Sequence, residues 1–128
     1  MYPKKVLKHF MHPNNLGKIK NADGVGEVTN PQCGDTTKVY IKVDKKKDKE
    51  IIKDIKFETL GCAAAIATSS VATTLVKGKS LDYAKKLSSK DILKELDGGL
   101  PKPKVHCSLL ALDALKNAIK DYEKKRIV

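Results

Sequence analysis

The chain has 128 residues, of which 41% are hydrophobic, and it contains no tryptophan. This length and composition predict one globular domain with a single aliphatic core. The formal net charge of +11 is spread along the chain and no aromatic residues interleave with a basic stripe. The charge therefore favours a solvated lysine surface or an acidic protein partner over nucleic acid.

Two features argue against membrane insertion and export. The longest uncharged stretch, residues 59–76, is short for a membrane span and rich in Ala, Ser and Thr. The first residues lead into no long apolar region, so we expect no secretory signal. We therefore expect a cytoplasmic protein in which the three cysteines are thiols rather than disulfides.

The first half of the chain predicts one helix and three strands. Apolar residues recur at helical spacing over residues 2–11, and the pattern stops before Pro13. Residues 24–29 fit a short edge strand. Residues 38–43 and 51–60 read as two longer strands, joined by a charged turn. Together these strands predict an antiparallel sheet with one face in water.

The second half predicts helices. Residues 62–76 carry no charge and indicate a helix buried on most sides, ended by Lys77-Gly78. A short helix is expected over residues 80–87. Ser88 and Asp91 have the spacing of a capping box for the next helix, which is expected to end at Gly98-Gly99.

Two prolines require residues 100–104 to be extended. From His106 or Cys107 to about Lys125 the chain is expected to be helical, with Leu112, Leu115 and Ile119 on one face. The predicted fold class is α+β, with a sheet of about three antiparallel strands packed against several helices. We expect residues 1–128 to form a single compact domain.

The three cysteines occupy positions that suit a shared site. Cys33 lies in a loop that contains proline and glycine, and Cys62 and Cys107 lie at predicted helix starts. A helix N-terminus carries a partial positive charge, which stabilises a thiolate. Core packing alone does not predict two of three cysteines at such positions. We therefore expect the fold to assemble one site from separate segments.

The candidate ligands of this site are Cys33, Asp35, Cys62, His106 and Cys107. The cysteines are too far apart in sequence for the small zinc modules, and no C-x-x-C pair is present. Thiolate, imidazole and carboxylate groups suit tetrahedral zinc, and thiolates also suit an iron–sulfur cluster. The residues alone leave both kinds of site open.

Three motifs resemble the IscU/NifU-type iron–sulfur cluster scaffold family. They are Asn30-Pro31-Gln32-Cys33-Gly34-Asp35, Gly61-Cys62 with the Ala-rich stretch that follows, and Val105-His106-Cys107 with Ser-Leu-Leu-Ala after it. The likeness covers nearly the whole chain and resembles the stand-alone IscU-like form. A histidine directly before Cys107 is similar to the IscU/NifU branch, whereas the SufU-type branch usually has lysine there.

The resemblance implies a carrier rather than an enzyme. Such scaffolds accept sulfur from a cysteine desulfurase, combine it with iron in a transient [2Fe-2S] cluster, and pass the cluster to apo iron–sulfur proteins. By motif match, Cys33, Cys62 and Cys107 would be cluster ligands and sulfur acceptors. His106 or Asp35 would complete the coordination, and Asp35 is associated with keeping the cluster labile.

The resemblance also implies partners. They are the desulfurase, the apo-proteins and a frataxin-like iron donor. We expect no nucleic-acid or membrane partner. We expect the protein to be a monomer or a weak homo-oligomer. Many IscU-type scaffolds carry Leu-Pro-Pro-Val-Lys, which a dedicated DnaK-type chaperone reads. Here the segment is Leu100-Pro101-Lys102-Pro103-Lys104, and the gained charge argues against dependence on that chaperone.

Two alternatives remain open on the sequence. The same five residues fit a SufU-type protein that binds zinc and transfers persulfide sulfur, activating a desulfurase; zinc in the isolated protein suits both hypotheses. A basic nucleic-acid binder has only the net charge in its favour.

Overall fold

The computed structural model describes residues 4–30, 34–96 and 106–127, with only the backbone described for residues 106–108 and 126–127. Within these ranges it forms five helices and three strands, which confirms the predicted α+β class. The elements in chain order are α1 (Lys4–Met11), β1 (Gly24–Thr29), β2 (Thr36–Lys46), β3 (Lys49–Leu60), α2 (Ala63–Val76), α3 (Leu81–Lys86), α4 (Ser89–Glu95) and α5 (His106–Ile127). None of the helices in the described ranges has both the length and the apolar character needed to cross a membrane.

The sheet is antiparallel with strand order β1-β2-β3. Its core face is built from alternate residues of the two long strands, and Val39, Ile41, Ile55 and Phe57 are buried there. The β2–β3 turn is tighter than the charged turn expected over residues 44–50. Both strands run on until Lys47 and Asp48, which reverse the chain with positive φ angles of 49° and 68°.

Helix α2 is buried on most of its surface, as its lack of charge predicts. Two of its buried threonines form hydrogen bonds within the helix. The Thr68 hydroxyl donates to the Ala64 carbonyl at 2.8 Å, and the Thr73 hydroxyl donates to the Ser69 carbonyl at 2.9 Å. Among the described residues, the Ser69 hydroxyl is buried without a hydrogen-bond partner. That unpaired group lowers the stability of the folded state.

Helix α5 crosses β1 at two glycines. A Cβ atom at Gly26 would lie 2.2 Å from the Ala114 carbonyl oxygen, and one at Gly24 would lie 2.2 Å from the Ala118 carbonyl oxygen. Glycine is therefore required at both positions for the helix to approach this closely. The order of the two contacts shows that α5 runs antiparallel to β1. The predicted apolar face of α5, including Leu112, Leu115 and Ile119, is buried.

The same helix covers the open edge of β1. The Val25 N–H donates to the Asp121 carboxylate at 2.9 Å, and the Asn117 side-chain amide donates to the Glu27 carbonyl at 3.5 Å. The Val25 N–H, followed by the Lys125 side chain, holds the pKa of Asp121 below its usual range. These contacts occupy edge groups that would otherwise be open to another strand.

The short helices begin where the sequence predicts. The Ser80 side chain accepts a hydrogen bond from the Tyr83 N–H, and Ser88 and Asp91 form a reciprocal capping box. Helix α4 ends at Glu95. The expected stop at Gly98-Gly99 and the extended proline segment 100–104 lie outside the described residues.

The edge contact of Asp121 leads to a stability prediction. We expect Asp121→Ala to lower the free energy of unfolding by about 1–3 kcal/mol, because a charge-assisted hydrogen bond is lost and the Val25 N–H stays beside the helix. Urea denaturation measures the change. Asp113→Ala is the matched control, since Asp113 is exposed on the same helix. Equal losses in the two variants would show that the edge contact contributes nothing.

His9 of α1 leads to a prediction on pH. Its Nδ1 atom lies 2.8 Å from the Ser70 hydroxyl, which also accepts the Asn14 N–H at 2.9 Å. Burial, and then the neighbouring Lys8, lowers the pKa of His9 below its usual 6.5. A neutral imidazole accepts from the Ser70 hydroxyl or donates to it, depending on its tautomer. The neutral form is favoured in the folded state.

The stabilisation that comes from neutral His9 is fully present above pH 6.5, the ordinary pKa of histidine. It is lost as the pH falls through the lower pKa of His9 in the folded protein, because the unfolded chain takes up the proton first. We expect thermal unfolding temperatures to fall between pH 7 and about pH 5, and to fall less in His9→Gln. His12→Gln, at an exposed position beyond the helix, should keep the parent's pH dependence. If the unfolding temperature of His9→Gln falls with pH as steeply as that of the parent, His9 is not the group responsible for the pH dependence.

Candidate metal centre

Sheet register brings two of the cysteine motifs together. Thr36, the first residue of β2, lies opposite Leu60, the last residue of β3. Gly34 and Asp35 therefore enter the sheet beside the point where Gly61 and Cys62 leave it. The two motifs are far apart in sequence and adjacent in space, as the hypothesis of one assembled site requires.

The loop that carries the first motif is closed by its own backbone. The Gly34 N–H donates to the Asn30 carbonyl, and the Asn30 N–H donates to the Asp35 carbonyl, both at 2.8 Å. Gly34 has a φ of 74°, a conformation that favours glycine. These bonds fix the backbone at Asp35 next to β1 and β2. Cys33 itself lies outside the described residues.

The Asp35 carboxyl group lies against Gly61. A Cβ atom on Gly61 would be 3.1 Å from both Cγ and Oδ2 of Asp35, and 2.9 Å from the Ala65 side chain. Any side chain at position 61 would therefore press on this carboxyl group. The sequence predicts Gly61 only as the residue that ends a strand; its second role is to make room for a carboxylate beside Cys62.

Cys62 lies at the N-terminus of α2, as predicted. It is the N-cap residue in an extended conformation, with a φ of −78° and a ψ of 175°. Its carbonyl accepts the N–H groups of Ala65 and Ile66 at 3.0 and 3.2 Å. The side chain is half-buried and packs against the core. Its sulfur therefore lies at the positive end of the helix dipole.

The start of α5 reaches the same end of the sheet. From Ala114, opposite Gly26, the helix extends eight residues back to His106, or about 12 Å at 1.5 Å per residue. From Gly26, β1 extends three residues to Thr29, or about 10 Å. Because α5 and β1 are antiparallel, these two ends lie at a similar level. The side chains of His106 and Cys107 lie outside the described residues.

A threonine cluster holds the three strand ends together beneath the loop. The hydroxyl oxygens of Thr29 and Thr36 are 3.0 Å apart, and those of Thr37 and Thr59 are 3.1 Å apart. The Thr59 hydroxyl donates to the Thr36 carbonyl at 2.8 Å, so the Thr37 hydroxyl is the donor to Thr59. Sequence reasoning missed this cluster, because threonines in separate strands are connected only by the register.

Two of the five predicted ligands, Asp35 and Cys62, have side chains that the structure describes, and both lie at this sheet end. The role of all five as ligands stays a prediction, and the side chains of Cys33, His106 and Cys107 lie outside the described residues. Within the described part of the chain, no group of three or more His, Cys, Asp or Glu side chains is arranged to hold a metal ion. His9 lies elsewhere, against the middle of α2.

The chain is similar to known iron–sulfur scaffolds over its whole length. It is 58% identical over 125 residues to iron-sulfur cluster assembly scaffold protein IscU 1 of Archaeoglobus fulgidus, covering 98% of this chain and 78% of the relative. It is 49% identical over 128 residues to IscU of Escherichia coli K12, covering 98% of this chain and 96% of the relative.

A solved structure of an assembly scaffold for the SUF system, SufU of Fervidobacterium islandicum AW-1, superposes with a TM-score of 0.69 and 27% identity. The superposition covers 92% of this chain and 96% of that one. The family model described as the NifU-like N terminal domain matches residues 1–128. The resemblance drawn from the three cysteine motifs is therefore confirmed, and the chain belongs to the NifU-like N-terminal domain family.

Proposed function

We propose that this protein is a scaffold that builds a transient [2Fe-2S] cluster and passes it to apo-proteins. Sulfur comes from a cysteine desulfurase, and the cluster is cargo rather than a resident cofactor. The observation that carries the proposal is the placement of the Asp35 carboxyl group against Gly61, next to Cys62, at the sheet end that the start of α5 also reaches. The names of the relatives as cluster assembly scaffolds support it.

The donor set suits temporary binding. Thiolates bind iron in clusters strongly and also accept sulfur from a persulfide. A carboxylate is a harder and weaker partner for an iron–sulfur unit. With Cys33, Cys62 and Cys107 as the proposed thiolate ligands, Asp35 or His106 takes the remaining position. Exchange at that weaker position is a route by which the cluster leaves.

The site lies at the surface, as sulfur delivery requires. Leu60 is 80% exposed, and Gly34 and Gly61 are also exposed. Half-buried Cys62 sits directly beside these residues. A desulfurase loop carrying a persulfide can therefore approach this rim without crossing any part of the chain that the structure describes.

A second candidate is a zinc protein of the SufU type that transfers persulfide sulfur and activates a desulfurase. The structural likeness to a SufU protein favours it. Its ligands would be drawn from the same five residues, since thiolate, imidazole and carboxylate all bind zinc. The two candidates differ in cargo, so metal analysis after assembly separates them.

We expect anaerobic incubation with ferrous iron, cysteine, a desulfurase and dithiothreitol, which reduces persulfide sulfur to sulfide, to give [2Fe-2S] absorption in the wild-type protein. Cys33→Ser, Cys62→Ser and Cys107→Ser should each lose most of that absorption, because a hydroxyl is a poor substitute for a thiolate ligand. Thr74→Ser, an exposed change on α2, is the control. Wild-type assembly in all three serine variants would refute the scaffold, and bound zinc without cluster would favour the second candidate.

Gly61 gives a sharper test of Asp35. We expect Gly61→Ala to displace the Asp35 carboxyl group and to slow cluster transfer to an apo-ferredoxin by about tenfold, the order of effect seen when groups around a metal ligand are altered. Asp35→Ala should slow transfer in the same direction. The rate is followed by the change in visible circular dichroism as the cluster moves.

The double variant Gly61→Ala/Asp35→Ala separates a local effect from general damage. If Gly61 acts through Asp35, the double variant transfers at the rate of Asp35→Ala alone, since interacting sites are not additive. Additive losses would mean that the alanine disturbs the site by another route, such as its contact with Ala65.

A further inference from the structure

Helix α1 carries an apolar stripe on its outward side. Leu7, Phe10 and Met11 are 39%, 40% and 68% exposed, whereas Val6 is fully buried. The three exposed side chains follow the i, i+3, i+4 spacing of one helix face. Lys4 and Lys8, also exposed and one turn apart, border that face. We call Lys4, Leu7, Lys8, Phe10 and Met11 together the α1 stripe.

The α1 stripe has the composition of a docking surface. Large apolar side chains grouped on an exposed face and rimmed by charge are typical of interaction sites. Helix α1 contains three lysines and no acidic residue. The face therefore combines an apolar centre with a positively charged border.

Charge and size decide which occupant fits. Two copies of the chain would bring lysine borders together, which is repulsive. A lipid surface suits it poorly, because α1 has eight residues, or about 12 Å of length, and is tied to α2 through His9 and Asn14. An amphipathic helix with carboxylates beside its apolar face would cover Leu7 and Met11 and pair with the lysines.

The C-terminal end of the α1 stripe lies away from the candidate metal centre. His9 and Asn14 both bond to Ser70, and Asn15 bonds to Thr73. Ser70 is eight residues beyond Cys62 along α2, or about 12 Å. Met11 lies between His9 and Asn14 in sequence. The C-terminal end of the α1 stripe is therefore anchored about 12 Å along α2 from Cys62.

We propose that the α1 stripe docks an acidic amphipathic helix of a protein partner. The partner binds at α1, outside the residues of the proposed cluster site, and we expect cluster assembly to continue while it is bound. This inference concerns a surface outside the proposed cluster site, and it stands whether the cargo is a cluster or zinc.

The test uses two synthetic helical peptides as probes, with the same leucine stripe and either glutamate or lysine at the flanking positions. Titration into isotope-labelled full-length protein is followed by NMR. We expect the acidic peptide to shift resonances of α1 and the basic peptide to shift none. Leu7→Ser/Met11→Ser should weaken binding at least about tenfold, the loss expected when apolar anchors are removed.

Charge reversal makes the test specific. Lys4→Glu/Lys8→Glu should weaken the acidic peptide and create binding of the basic one, while Lys90→Glu, an exposed change on α4, should alter neither. Cluster assembly should be unchanged in every variant. All the changed side chains are exposed, so we expect the variants to fold. Circular dichroism checks that they do.

Three outcomes would overturn the proposal. One is that the acidic peptide shifts resonances over the whole surface, or that the variants of the α1 stripe do not change its binding. Another is a concentration-dependent dimer, seen by sedimentation, that Leu7→Ser/Met11→Ser abolishes, because a second copy would then be the occupant. The third is stripe-dependent binding to phosphatidylserine vesicles with no binding of the acidic peptide.

Discussion

The contact between Gly26 of β1 and Ala114 of α5 is the constraint on which the position of the site depends. A Cβ atom at Gly26 would lie 2.2 Å from the Ala114 carbonyl oxygen, so the helix and the strand approach until their backbones nearly touch. This approach fixes the distance, direction and level of α5 on the sheet. Because α5 is rigid, fixing its middle also fixes its start. Two glycines on an edge strand thus determine where the third cysteine motif begins.

Helix α2 connects the candidate metal centre with the rest of the core. Its first residue follows Cys62, and its middle carries Ser70, which receives contacts from His9 and Asn14. Its small side chains let the sheet, α1 and α5 all pack against it, but they leave the Ser69 hydroxyl buried without a partner among the described residues. The helix that presents the cysteine is therefore held by many contacts of modest strength, one of them from His9, whose pKa is lowered by burial.

The sequence predicts the parts of this structure that arise within one segment. Helix starts at Cys62 and Ser80, the capping box of Ser88 and Asp91, and the apolar face of α5 each depend on neighbours a few residues away. The packing of Asp35 on Gly61, the threonine cluster and the glycines of β1 depend on register or on helix-to-sheet distance. A one-residue slip between β2 and β3 would separate Asp35 from Gly61 without changing any local pattern. These features are visible only once strands are paired.

The electrostatics of the site follow from opposing local and global charges. Gathering three thiolates around iron concentrates negative charge, and like charges resist such concentration. A chain with a net charge of +11 supplies a positive field that reduces this resistance over the whole surface. In the proposed site Asp35 acts in the opposite direction, because its carboxyl group lies against Gly61, the residue before Cys62. For the proposed scaffold, we therefore infer that the basic surface favours the collection of an anionic cluster, while the Asp35 carboxylate keeps the site from binding the cluster too firmly to release it.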